Sequence, residues 1–198
     1  LHIEGSFEPE LMFDIARRNN VALPYATVED LKAAYDFADL QAFLDLYYAG
    51  MRVLLHEQDF YNLTAAYMKR AVADGVVHTE IFFDPQGHTG RGVAFETALD
   101  GIWRALRDAE TDHGITSRII MCFLRHLDED EAFPVLEQAI AHRDRITGIG
   151  LDSSELGHPP QKYQRVFSMA CDAGLRLVAH AGEEGPAAYV RDTLDLLQ

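Results

Sequence analysis

Basic residues are scarce in this chain. Only 17 Lys and Arg stand against 32 Asp and Glu in 198 residues, a formal net charge of −15. A surface that grips phosphate backbones needs clustered cations, so this balance argues against nucleic acid and anionic membranes as partners. Cysteine is scarcer still: Cys122 and Cys171 stand far apart and form no CxxC pair, which sets aside a cysteine-ligated zinc site. Both lie in apolar runs and read as reduced, buried thiols of a cytoplasmic protein. No apolar run approaches the roughly 20 residues that span a bilayer. No GxGxxG turn follows any strand-like run, and no repeat, low-complexity tract or Pro/Gly linker divides the chain. The chain opens on Leu1-His2-Ile3 rather than on Met, as though cut inside a strand, so the lack of a leader carries little weight.

What is present is a core-forming composition, 48% hydrophobic and 25% charged, read as one domain over residues 1–198. Short β-branched runs alternate with amphipathic segments. The spacing predicts strands over Val76 to Asp84, Ser117 to Arg125, Ile146 to Ser153 and Leu175 to Gly182, with Leu1-His2-Ile3 the tail of another. Helical patterns run over Asp59 to Asp74, Phe95 to Asp112, Glu131 to His142 and Gln161 to Ala173, and the first and last are stopped by Gly75 and Gly174. Strands apolar on both faces, alternating with helices, indicate an α/β fold with a covered parallel sheet. The stretch from Glu8 to Asp59 breaks this rhythm. It reads as three helices, Pro9 to Asn19, Val28 to Tyr35 and Leu40 to Leu55, and is either a lid over a pocket or an added packing layer.

A doubly wound sheet and a (β/α)8 barrel both fit this order. Polar residues gather at five strand ends: His2-Ile3-Glu4, Asp84-Pro85, Arg125-His126, Asp152 to Glu155 and His180 to Glu183. Barrel enzymes place their chemistry at that rim, which favours the TIM (β/α)8 barrel, here about strands 1 to 5 with a helical insertion after strand 1. Neutral imidazole is a good zinc ligand, and His180 closes a strand with Gly182 allowing a sharp turn to Glu183. A carboxyl beside an activated water is a useful proton carrier. A hydrogen-bonding strand-end histidine and a helix-capping glutamate account for the same residues. His2, at another strand end, strengthens the metal reading, although two histidines fall short of the three ligands such sites use. His88, His126 and His158 lie near the same rim, and the acidic run Asp128-Glu129-Asp130-Glu131 reads as a helix N-terminus.

LHIEGSFEPEL resembles the first-strand motif of the adenosine deaminase family of the amidohydrolase superfamily, HxH followed by an acidic residue and Gly. VAHAGEEG resembles its HAGE motif, and FLDLYYAG, EIFFDPQGHT, FLRHL and GLDSSELGHPP extend the likeness along the chain. The last is similar to the adenine deaminase branch. The resemblance implies one Zn²⁺ per complete site, with His2 and His180 as ligands and Glu183 as the acid that protonates the purine. It implies hydroxide attack on C6 of adenine, giving hypoxanthine and ammonia, as in purine salvage.

It also implies substrate contacts from Glu4, Asp152, Ser154 and Glu155. Glu155 is the residue expected to set specificity, accepting the imidazole N–H of free adenine at a position where nucleoside deaminases carry Gly; capping of the next helix is the other reading. Glu4 replaces an Asp that meets ribose in the nucleoside enzymes. The first histidine of HxH, a histidine after strand six and paired aspartates after strand eight do not occur, so the barrel is expected to be incomplete. The expected partner is a small purine, and a homo-oligomer is compatible with the sequence. Two other readings stay open: a deaminase of adenosine or another 6-aminopurine such as aminodeoxyfutalosine, and a catalytically inert purine-binding fragment.

Overall fold

A computed structural model describes all of residues 1–198, which divide into two compact units. The first comprises Leu1–Ile81 and Gly87–Ser117, the second Phe82–Gln86 and Arg118–Gln198. Four strands form one sheet in the order β1 (His78–Phe83), β2 (Thr116–Leu124), β3 (Ile146–Asp152), β4 (Arg176–Leu177). The pairs β2/β3 and β3/β4 are parallel, with Cys122 opposite Gly150 and Leu124 opposite Asp152. The sequence reading placed three of these strands within one or two residues at each end. No helix is long and apolar enough to cross a membrane.

The ends of the sheet depart from expectation. Leu1-His2-Ile3 forms a single bridge at His2, and the chain then turns into a 3-10 helix over Glu4–Ser6. The predicted strand from Leu175 shortens to two residues, although Val178 N–H and His180 N–H still donate to Ile149 and Leu151 carbonyls at 3.0 and 2.9 Å. Cys122 is buried as expected. Cys171 is exposed, because α8 (Gln164–Asp172) turns Val166, Phe167 and Ala170 inward and leaves Cys171 on its outer face.

The first unit is mainly helical: α1 (Pro9–Arg18), α2 (Val28–Ala33), α3 (Leu40–Met51), α4 (Glu57–Ala73) and α6 (Phe95–His113); the short α5 (Pro85–Thr89) begins in the second unit and ends in the first. Asp59 shows why α4 starts where it does. Its sealed carboxylate accepts the N–H groups of Leu55 and His56 at 2.9 and 2.8 Å and the Asn19 amide at 2.6 Å, and it pairs with Arg18. Burial pushes the Asp59 pKa up, but these donors outweigh it and hold the group below its ordinary value.

In the second unit, α7 (Glu129–Ala141), α8 and α9 (Ala187–Leu196) accompany the strands. The acidic run opens α7 as expected: Asp128 is its N-cap and Glu131 returns the bond of a capping box. Tyr163, fully buried, donates its hydroxyl toward the Leu124 and Leu127 carbonyls at 2.8 and 2.9 Å, which pins the carboxyl end of β2.

Candidate active site

The carboxyl ends of β1, β2 and β3 converge on one cluster in the second unit. Asp84 follows β1, Cys122 lies in β2, and Asp152 closes β3; their ligand atoms lie within 4.8 Å of one another. All three are buried. Carboxylates and a thiolate are ligand types that zinc accepts, so this donor set fits a divalent ion. The lack of a CxxC pair therefore does not exclude Cys122 from a metal site, because the sheet brings it beside two carboxylates. Cys122 can face the cluster because its neighbour across the ladder is Gly150, where a Cβ would stand 2.5 Å from the sulfur.

His180 lies beside the same place. It lines a cavity of about 70 Å³ with Phe82, Cys122, Gly150, Leu151, Val178 and Ala179, and its ring meets Phe82 edge-on at 6.3 Å. Both His180 and Glu183 are exposed, while the chain around them is anchored. The His180 carbonyl accepts from Arg125 Nη1 at 2.9 Å. Two residues past it, Gly182 N–H donates to Glu155 Oε1 at 2.7 Å, and the N–H groups of Glu184 and Gly185 donate to Oε2 at 2.8 and 2.7 Å.

Glu155 and Arg125 are both sealed from solvent, with their charged groups 3.7 Å apart. Burial pushes the Glu155 pKa up, but the three backbone donors and Arg125 more than reverse this and keep it below the ordinary carboxylate range. Both oxygens of the residue expected to meet the purine are thus engaged by backbone. Ser153 carries a left-handed backbone at φ 72°, so the position whose geometry a glycine would suit lies two residues before Glu155. The Ser153 hydroxyl meets His126 Nδ1 at 2.8 Å. Burial, then the nearby His158 and Lys162, lower the His126 pKa and favour a neutral ring at neutral pH.

Glu4 and His2 belong to the first unit. Glu4 is buried; its Oε1 accepts from His88 Nε2 at 2.9 Å and its Oε2 from the Tyr47 hydroxyl at 3.4 Å. Arg91 donates to His88 Nδ1 at 2.7 Å, which assigns the ring proton to Nε2. His2 is half-buried and Ser154 likewise. Asp152 and His180 are therefore gathered around Cys122, Glu155 lies beneath the 182–185 turn, and Glu4 sits in a separate buried network. Asp84, Cys122 and Arg125 were not singled out as site residues from sequence. Asp84 and Arg125 stand at strand ends, which is a usable signal, whereas Cys122 has none within an apolar run.

Known proteins resemble this chain in sequence and fold along its whole length. An adenine deaminase from Sphingopyxis alaskensis is 64% identical over 198 residues, and one from Ralstonia pickettii 62% over 202. All of this chain is covered, but only 58% and 59% of those proteins, so the chain spans somewhat over half their length. Among solved structures, adenine deaminase from Arthrobacter aurescens superposes with a TM-score of 0.96 at 54% identity, covering all of this chain and 60% of that one. An amidohydrolase from Burkhoderia ambifaria with bound Zn gives 0.90 at 30% identity, covering 99% of this chain and 54% of its own. The α/β fold is accordingly part of the amidohydrolase TIM barrel. The adenosine deaminase family model matches residues 1–198 from end to end, and the chain belongs to that family.

Proposed function

We propose that the protein carrying this sequence is a zinc-dependent adenine deaminase, converting adenine and water to hypoxanthine and ammonia. The observation that carries this reading is identity above 60% to adenine deaminases over the whole of this chain. In this reading His2 and His180 hold the ion, and the Asp84, Cys122 and Asp152 cluster supplies acidic and thiol groups beside it. When bound, the ion supplies the Lewis acidity that activates water at neutral pH.

This chain's own residues do the rest. Glu183, exposed on a backbone anchored at both sides, delivers a proton to N1 of the ring, which withdraws electrons from C6 as the new C–O bond forms. Of the two protons of the attacking water, one replaces the proton Glu183 gave to N1 and the other passes to the amino nitrogen. The C6–N bond then breaks, ammonia leaves and the C6 oxygen becomes a carbonyl. Ser154 and Asp152, at the end of β3, contact the purine edge, while Glu4 stays within the buried network it forms with His88 and Tyr47 in the first unit. Glu155, whose carboxylate accepts backbone N–H groups of the 182–185 turn, lies next to the segment that carries Glu183. The Zn bound by the Burkholderia-type amidohydrolase supports the metal assignment.

The test is turnover of adenine and adenosine by the native polypeptide that carries this sequence, together with its metal content. Hypoxanthine from adenine, with about one zinc per site, is the expected result. Preference for the nucleoside overturns the substrate, and turnover undiminished after metal stripping overturns the cofactor.

A further inference from the structure

The HAGE segment must present His180 and Glu183 accurately while running through a turn with little regular structure. Its backbone passes from the short β4 through bends at 182–185 into α9, which begins at Ala187. Helix or sheet ladders leave these N–H groups unserved, so side chains have to take them.

One side chain takes three. Glu155 Oε1 accepts from Gly182, and Oε2 accepts from both Glu184 and Gly185, all between 2.7 and 2.8 Å. The donors flank Glu183 on both sides, so its backbone is held while its side chain stays exposed. The approach is close: a Cβ on Gly185 would stand 2.9 Å from the Glu155 carboxyl carbon. Arg125 completes the arrangement. Its Nη1 donates to the His180 carbonyl, its Nε and Nη2 donate to the His158 carbonyl at 3.0 and 2.8 Å, and Glu155 balances its charge.

We infer that Glu155 is a positioning residue that, braced by Arg125, fixes the 182–185 turn and thereby aims both His180 and Glu183. Oε2 already accepts two backbone N–H groups, and Oε1, which accepts one, is sealed from solvent, so the carboxylate faces the turn rather than an open pocket. The functional meaning of the aim rests on the deaminase reading; the brace itself does not.

The experiment uses Glu155→Gln, Glu155→Asp and Arg125→Lys in the native polypeptide, with amide hydrogen exchange read separately over 182–185 and over β3. A glutamine must point its NH₂ at N–H donors, so it keeps the shape but loses acceptors. The expected result for Glu155→Gln is exchange about tenfold faster at 182–185 with β3 unchanged. Glu155→Asp should lie between it and the native protein. Arg125→Lys should release the segment from residue 180 onward. For adenine turnover, kcat should fall about tenfold or more while KM moves less than about threefold. Native exchange at 182–185, or opening of β3 together with the turn, overturns the brace. A loss confined to KM overturns the positioning role in favour of direct substrate contact. Should the native protein leave adenine untouched, the function fails but the exchange measurement still decides the brace.

Discussion

The His88 imidazole and the Glu4 carboxylate meet at 2.9 Å with both side chains wholly sealed from solvent. They are 84 residues apart in sequence, and Arg91 and Tyr47 hold their far sides. Removing the imidazole leaves a buried carboxylate without its nearest donor. His88→Ala should cost roughly 3 kcal/mol in urea unfolding, since breaking one half of a buried pair is expensive. His88→Gln, which retains a donor, should cost less than half as much.

Asp59 makes the same kind of demand at the start of α4. Asp59→Asn turns an NH₂ toward the Leu55 and His56 donors and should cost roughly 2 kcal/mol. The sign of its pH dependence follows from a folded pKa held below the unfolded value of about 3.9. The contribution is whole above the unfolded pKa and fades as pH falls through the folded one. Acid unfolding of Asp59→Asn, followed by circular dichroism, should therefore be flatter below about pH 4 than that of the native protein.

Much of this fold was legible because β2 and β3 are buried on both faces over most of their length, β1 alternates, and its helices are amphipathic. Ile146 to Asp152 stands out by its apolar run, and Gly75 and Gly174 mark helix ends plainly. The turn of helix over Pro85–Thr89 was not legible, being too short to show a period, and α9 follows a Gly-Pro pair that reads as loop. His180 and Glu183 were visible because the motif is contiguous. Arg125 and Cys122 acquire meaning only once β2 lies beside β3, and no local pattern states that pairing. Glu155 was singled out, but a lone sequence cannot reveal that its carboxylate faces the turn 27 to 30 residues later.

Glu183 is the proton donor of the proposed reaction, and its side chain is exposed, so its replacement should leave the fold intact. Glu183→Gln should lower kcat on adenine about 10²- to 10⁴-fold, with melting temperature and zinc content unchanged. Loss of zinc in this variant would move Glu183 from the proton to the metal.

His180→Ala tests the ligand role. Its ring stacks edge-on against Phe82 and lines the cavity beside Cys122, so the variant should fold. Metal analysis should show zinc occupancy reduced by about tenfold or more at equal free metal. Retained zinc with lost turnover would assign His180 to the substrate instead.

Ser153 carries a consequence of another kind. Its left-handed backbone is a strained setting for a side chain, of order 1–3 kcal/mol, yet its hydroxyl is what meets His126. A glycine would relax the main chain and remove one of the groups that the imidazole meets in the same substitution. Main-chain ease and the hold on His126 thus pull in opposite directions on a single oxygen atom.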